Sequence, residues 1–101
     1  MEKYWYHLAD IDQIDSPALV VYLDRVRRNI DTLLSMTKDV NQLRPHVKTH
    51  KSPHISKMLI DKGIQKFKCA TIAEAEMLGE AGALDVLLAY PIQGPKIDRL
   101  I

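Results

Sequence analysis

The 101-residue chain has one cysteine, Cys69, so no disulfide closes within it. A disulfide-built scaffold is excluded. With no signal-peptide pattern in its first residues, a reducing cytoplasmic setting is the expectation. Aromatic residues make up 6% of the chain, with one Trp and one Phe. Charge of one sign is also missing: 14 Lys and Arg stand against 13 Asp and Glu, a formal net charge of +1. That balance supplies no field to gather nucleic acid or an anionic membrane. Lys48, Lys51 and Lys57, without interleaved aromatics, do not make such a patch. No uncharged apolar run approaches the roughly 20 residues that span a bilayer, so a soluble chain without membrane or nucleic-acid partners is expected. Low-complexity stretches and linkers are absent. What remains is ordinary globular usage, 47% apolar and 27% charged, which argues against disorder.

Short apolar runs alternate with segments of helical period. Ala18–Leu23, after Ser16-Pro17, reads as a buried strand. Asp24 is a candidate cap for a helix whose apolar stripe is Val26, Ile30, Leu33, Leu34 and Thr37. A second strand is expected from Gln42 to about Lys48. Ser52-Pro53 then opens a helix with stripe Ile55, Met58 and Leu59, stopped by Gly63. A third strand spans Lys66–Ala70. Thr71-Ile72-Ala73-Glu74 is a capping box for a third helix, whose small face of Ala75, Leu78, Gly79 and Gly82 suits close approach to a sheet. The fourth strand is Asp85–Tyr90, and Gly94-Pro95 opens a fourth helix. Such βα alternation implies parallel strands, in a doubly wound sheet or a (β/α)8 barrel. The last helix has no stop signal, so the chain reads as the N-terminal portion of something longer. The packing of Met1–Asp15 is left open by the pattern.

The chemistry concentrates in Leu43–Lys51, which reads Leu-Arg-Pro-His-Val-Lys-Thr-His-Lys. On a strand, Arg44, His46 and Lys48 share one face and Pro45 and Val47 the other. Helices cover the outside of a βα barrel, so the polar set is expected to point inward. Lys48 then falls at the strand's C-terminal end, where such barrels place their active sites. An enclosed lysine is biased toward the neutral amine, the form needed for Schiff-base chemistry with a carbonyl. The opposing reading is a strand-end lysine whose head reaches water.

The segments DSPALVVYLDRVRRNI (15–30), LRPHVKTHKS (43–52) and KFKCATIAEAEMLGEAGALDVLLAY (66–90) resemble the D-threonine aldolase and D-serine dehydratase family, in the alanine racemase-like group of pyridoxal phosphate (PLP) enzymes. The resemblance covers about residues 15 to 101, and RPHxKTHK is its most specific element. It implies an α/β fold: the N-terminal half of a PLP-binding (β/α)8 barrel, about four βα units, with residues 1–15 an N-terminal extension. The second half of the barrel and a C-terminal β domain lie outside these 101 residues. By the same resemblance Lys48 carries the covalently held PLP, with Lys51 the runner-up. The phosphate-binding loops and the ligands of a divalent metal, zinc or manganese, lie outside the chain. A D-3-hydroxyamino acid is the implied substrate, cleaved to glycine and an aldehyde or, in a D-serine dehydratase, eliminated to pyruvate and ammonia. The full-length protein is expected to be a homodimer. A PLP-binding protein without turnover and a racemase of the same fold are alternatives, both disfavoured by RPHxKTHK.

Other residues compete for roles. His46, His50 and His54 form H-x3-H-x3-H, but Pro45 and Pro53 interrupt any helix that would converge them on a metal. His46 and His50 are candidate cofactor neighbours of Lys48, against a reading of His50 as a loop histidine bonded to backbone. Tyr90 is a candidate for the active-site face. Cys69 reads as a small core residue. Glu74, Glu76 and Glu80 read as a solvated helix face with one capping carboxylate, and Gly94-Pro95-Lys96 as a weak anion site.

Overall fold

The computed structural model describes residues 4–101, so Met1–Lys3 of the expected extension lie outside it. Helix α1 spans Leu23–Ser35, α2 Pro53–Asp61, α3 Ile72–Ala81 and α4 Pro95–Leu100; strand β1 is Lys66–Cys69 and β2 is Asp85–Leu88. Short 3-10 turns occupy Ile11–Gln13 and Val40–Gln42.

Local capping chemistry accounts for most helix ends. Ser52 accepts a hydrogen bond from the Ile55 N–H, with Pro53 in the first turn of α2. Thr71 does the same for the Glu74 N–H at α3. The start of α1 departs from expectation: Tyr22 is its cap residue, without a side-chain bond to the helix N–H groups, and Asp24 lies inside the first turn. There its carboxylate meets the positive helix end and pairs with Arg27 at 3.3 Å. Ile30 is buried, while Val26 and Leu34 pack on the core. Thr37 lies past the helix end, its hydroxyl bonded to Gln42 and the Asp39 carbonyl.

Two of the four expected strands form. Ala18–Leu23 is not a strand among the described residues: Leu19 is 86% exposed and no ladder meets the run. β-pairing needs a neighbour to take the backbone groups, and residue type alone does not supply one. In the Gln42–Lys48 segment a single parallel bridge, His46 to Lys68, is all that pairs. β1 and β2 are parallel, with Lys66 opposite Asp85 and Cys69 opposite Leu88, and α3 joins them. The order across the layer is therefore the His46 segment, β1, β2.

One face of this layer carries the helices. Val47, Phe67 and Cys69 are fully buried there with Ile64 and Leu78, joined by Ile30 and Leu59. The other face holds the alternate residues, half-buried Lys66 and Lys68 and exposed Asp85 and Leu87. Arg44 crosses it, donating to the Phe67 carbonyl at 3.1 Å and to Asp85 Oδ1 at 2.8 Å. The Arg44 hydrogen bond, aided by the charges of Arg44 and Lys66 against a burial effect, holds Asp85 below the usual carboxylate range. The Cα radius of gyration is 16.5 Å, whereas a compact domain of this length has about 13 Å. The layer is an open slab with one bare face.

The small-residue face expected on α3 is only partly used. Ile72, Ala75 and Leu78 meet the core, but a side-chain atom added at Gly79 would touch nothing within 4 Å. Gly82 has a backbone reason instead. It ends α3 in the left-handed region at φ 100°. Because a Cβ there also meets nothing, Gly82→Ala isolates backbone strain, expected to cost about 1–2 kcal/mol. Urea denaturation measures it, and an unchanged midpoint would show that the helix end relaxes freely. Among the described residues no helix is long and apolar enough to cross a membrane.

Candidate functional site

Because the three segments run in parallel, their carboxyl ends lie along one edge. Lys48 follows the bridged segment, Ala70 and Thr71 follow β1, and Ala89 and Tyr90 follow β2. This is the edge where parallel α/β proteins gather their functional groups.

Val47 is the anchor. Its side chain is fully buried and its N–H donates to the Lys68 carbonyl at 3.0 Å. The chain then turns. Lys48, Thr49 and His50 are enclosed by a hydrogen bond from the Lys51 N–H to the Val47 carbonyl, 2.8 Å. Lys51 has φ +51°, unusual for a residue with a Cβ. Each neighbouring histidine braces the turn: His46 Nδ1 accepts from the Lys48 N–H at 3.2 Å, and His50 Nδ1 from the Ser52 N–H at 2.9 Å. Those bonds assign Nδ1 as the acceptor and leave Nε2 of each ring to carry the proton. Burial lowers the His50 pKa, with the Glu74 charge opposing in part. The backbone-bonded reading of His50 is therefore realised in the geometry.

Lys48 is exposed at this edge, beyond buried Val47. Enclosure of its amine, expected from a closed barrel, is not present in the open slab. No ion pair engages its nitrogen among the described residues. Lys51 differs: its Nζ lies 2.9 Å from Glu74 Oε2. Tyr90 stands past β2, 41% exposed, with its hydroxyl bonded by Lys96 and that ammonium 5.1 Å from the ring centroid. His54 is exposed on α2, and no group of three His, Cys, Asp or Glu converges among the described residues. Cys69 is buried, and burial first, then the Glu74 charge, pushes its thiol up.

Glu74 is the residue that sequence reasoning undervalued. It was expected on a solvated face, yet it is 3% exposed. Its carboxylate accepts from the Ala70 N–H at 3.2 Å, the Thr71 hydroxyl at 2.8 Å and Lys51 Nζ at 2.9 Å. The capping-box spacing held the signal, but a box carboxylate ordinarily returns to its own cap N–H. Here it serves the end of β1 and the Lys51 turn instead. Glu76, by contrast, is exposed and pairs with Arg99 at 2.7 Å.

Burial alone would raise the Glu74 pKa, but the hydrogen bonds from Lys51, Thr71 and Ala70 outweigh it and hold the carboxyl below its ordinary value. A depressed folded-state pKa contributes stability that is complete above the unfolded value, about 4.3, and is lost as pH falls through the folded value. Glu74→Gln is therefore expected to weaken the protein at pH 7 and to flatten its loss of stability in acid. Urea midpoints from pH 7 to pH 3 check this; an unaltered acid slope would assign that dependence to other carboxylates.

The alanine racemase N-terminal domain family matches residues 21–101, and the chain belongs to that family. A D-threo-3-hydroxyaspartate dehydratase from Delftia sp. (strain HT23) is 39% identical over 89 residues, covering 87% of this chain and 23% of the relative. A 3-hydroxy-D-aspartate aldolase from Paracoccus denitrificans (strain Pd 1222) is 34% identical over 94 residues, 90% of this chain and 24% of the relative. A D-threonine aldolase from Arthrobacter sp. is 31% identical over 85 residues, 82% of this chain and 22% of the relative. The chain thus spans about a quarter of the length of the curated relatives it matches. No solved structure matches it.

Proposed function

We propose that the chain is the N-terminal part of a PLP-dependent lyase acting on D-configured 3-hydroxyamino acids, and that Lys48 holds the cofactor. The named substrates of the three relatives share that chemistry: an amino group on a D-configured carbon with a hydroxyl on the next. One observation carries the assignment to Lys48. It places a primary amine, free of ion pairs among the described residues, on the carboxyl edge of the parallel layer, while its rival Lys51 is engaged by a buried carboxylate.

The residues present fit PLP. Lys48 offers the amine that its aldehyde requires, and among the described residues no side chain pairs with that nitrogen. His46 and His50, each held by a backbone hydrogen bond at Nδ1, have an N–H at Nε2 to donate to cofactor or substrate oxygen. Tyr90 and Lys96 supply a further donor pair along the same edge. When bound, PLP withdraws electrons from bonds at the substrate's α-carbon. The chain's own part is to hold and orient the group. The remaining βα units of a closed barrel would cover the bare face and exclude water from Lys48. The described residues do not make a metal site, so zinc or manganese would draw its ligands from beyond them. By the same reading the full-length protein is a homodimer.

Aldol cleavage to glycine and an aldehyde is the leading reaction; the dehydratase relative favours elimination to a keto acid and ammonia as the second. The test is a product assay of the full-length protein with D-threonine, D-3-hydroxyaspartate and D-serine, with and without chelator. Glycine plus aldehyde supports the aldolase. Keto acid plus ammonia supports the dehydratase. Turnover confined to racemisation, or none in PLP-loaded protein, would overturn the lyase reading.

A further inference from the structure

Lys48 lies between two fixed points. On one side is Val47, buried and tied to β1. On the other is Lys51, three residues later, in a left-handed conformation that is unfavourable for a residue with a Cβ. Such a conformation persists only where its surroundings over-determine it. The side-chain contact that Lys51 makes is with Glu74. That carboxylate is itself immobilised, being buried and bonded to the end of β1 and to the cap of α3. It therefore joins three elements: the Lys48 turn, β1 and α3.

We infer that Glu74 is a positioning residue for the cofactor lysine, acting through Lys51 to hold the 48–51 turn in the shape that presents Lys48. The inference rests on the proposed role of Lys48 and adds a device that sets its aim. With Glu74 neutral or Lys51 truncated, nothing at the Lys51 side chain offsets the left-handed backbone. The turn opens, and Lys48 samples directions away from the edge.

The test follows attachment of PLP itself. Full-length protein is mixed with PLP, reduced with borohydride at timed intervals, and the modified lysine is quantified by peptide mass spectrometry. Lys51→Met and Glu74→Gln are each expected to slow attachment at Lys48 about tenfold, since reaction rates fall steeply with small misplacement. The double variant should fall about tenfold as well, because the two residues act as one unit. Lys51→Arg, which keeps a cation for Glu74, should stay within about twofold of the native rate.

Lys51 has its side chain 61% exposed, and Glu74 keeps its bonds from the Ala70 N–H and the Thr71 hydroxyl when that ammonium is gone, so Lys51→Met is expected to unfold within a few degrees of native protein. Its slower attachment then reports aim rather than unfolding, whatever Glu74→Gln does to the fold. Native attachment rates in Lys51→Met, or a double variant slowed about a hundredfold, would overturn the inference while leaving Lys48 in place. Attachment that persists in Lys48→Ala would overturn the role of Lys48 and the inference together.

Discussion

Lys48→Ala, made in the full-length protein, is expected to abolish the absorbance of covalently held PLP and to lower turnover on the order of 10³-fold or more. No other described lysine at the carboxyl edge combines its position with an unengaged amine. Lys51 is tied to Glu74 and Lys96 to Tyr90. The loss should be chemical rather than structural. Lys48 is exposed and makes no side-chain hydrogen bond among the described residues; its backbone N–H, which does bond to His46, survives the substitution. Stability is therefore expected to stay within about 0.5 kcal/mol of native. Absorbance before and after borohydride, kcat, and a urea midpoint on the same samples separate the two effects. A retained band that bleaches on reduction would move the cofactor to another lysine.

The parts of this fold that were legible in the sequence are those decided within a few residues. Ser52-Pro53 opens α2 and Thr71 caps α3 through bonds to N–H groups three residues on, and Gly82 ends α3 because its left-handed backbone favours glycine. Each signal and its partner lie within one helical turn. The parallel pair Lys66–Cys69 and Asp85–Leu88 was also legible, because α3 sits between two short strand-like segments and brings them together.

What was not legible depended on distant partners. Ala18–Leu23 has the composition of a buried strand, yet nothing in the described residues offers it a ladder. Gln42–Lys48 meets β1 at a single bridge. Glu74 shows the same limit at the site: its spacing from Thr71 announced a cap. Its burial, and its bond to Lys51 across 23 positions of sequence, follow from the sheet that sets the Lys51 turn beside α3. The order Arg44, Val47, Lys48 was readable because period-two alternation is local. The exposure of Lys48 was not, because covering the other face takes chain from elsewhere.

Phe67→Ala is expected to have the largest effect on folding. Phe67 is the largest of the fully buried side chains, in the middle of β1, where it belongs to one cluster with Val47, Ile64, Cys69 and Leu78. Emptying such a site costs about 3–5 kcal/mol, against a total stability of about 5–15 kcal/mol for a typical domain. A matched control is Leu84→Ser: Leu84 is 76% exposed, and a surface change of that kind stays within about 0.5 kcal/mol. The consequence reaches the site through the backbone. β1 gives the Lys68 carbonyl to the Val47 N–H and its Lys68 N–H to the Pro45 carbonyl, and these bonds hold the segment that ends in Lys48. A β1 loosened by a cavity beneath Phe67 should therefore weaken PLP attachment even where the protein remains folded. Urea denaturation and borohydride trapping on Phe67→Ala, at a temperature below its unfolding, read the two effects separately. A loss below about 1 kcal/mol would mean that this core collapses around the gap, and attachment at the native rate would mean that the Lys48 turn holds its shape without a firm β1.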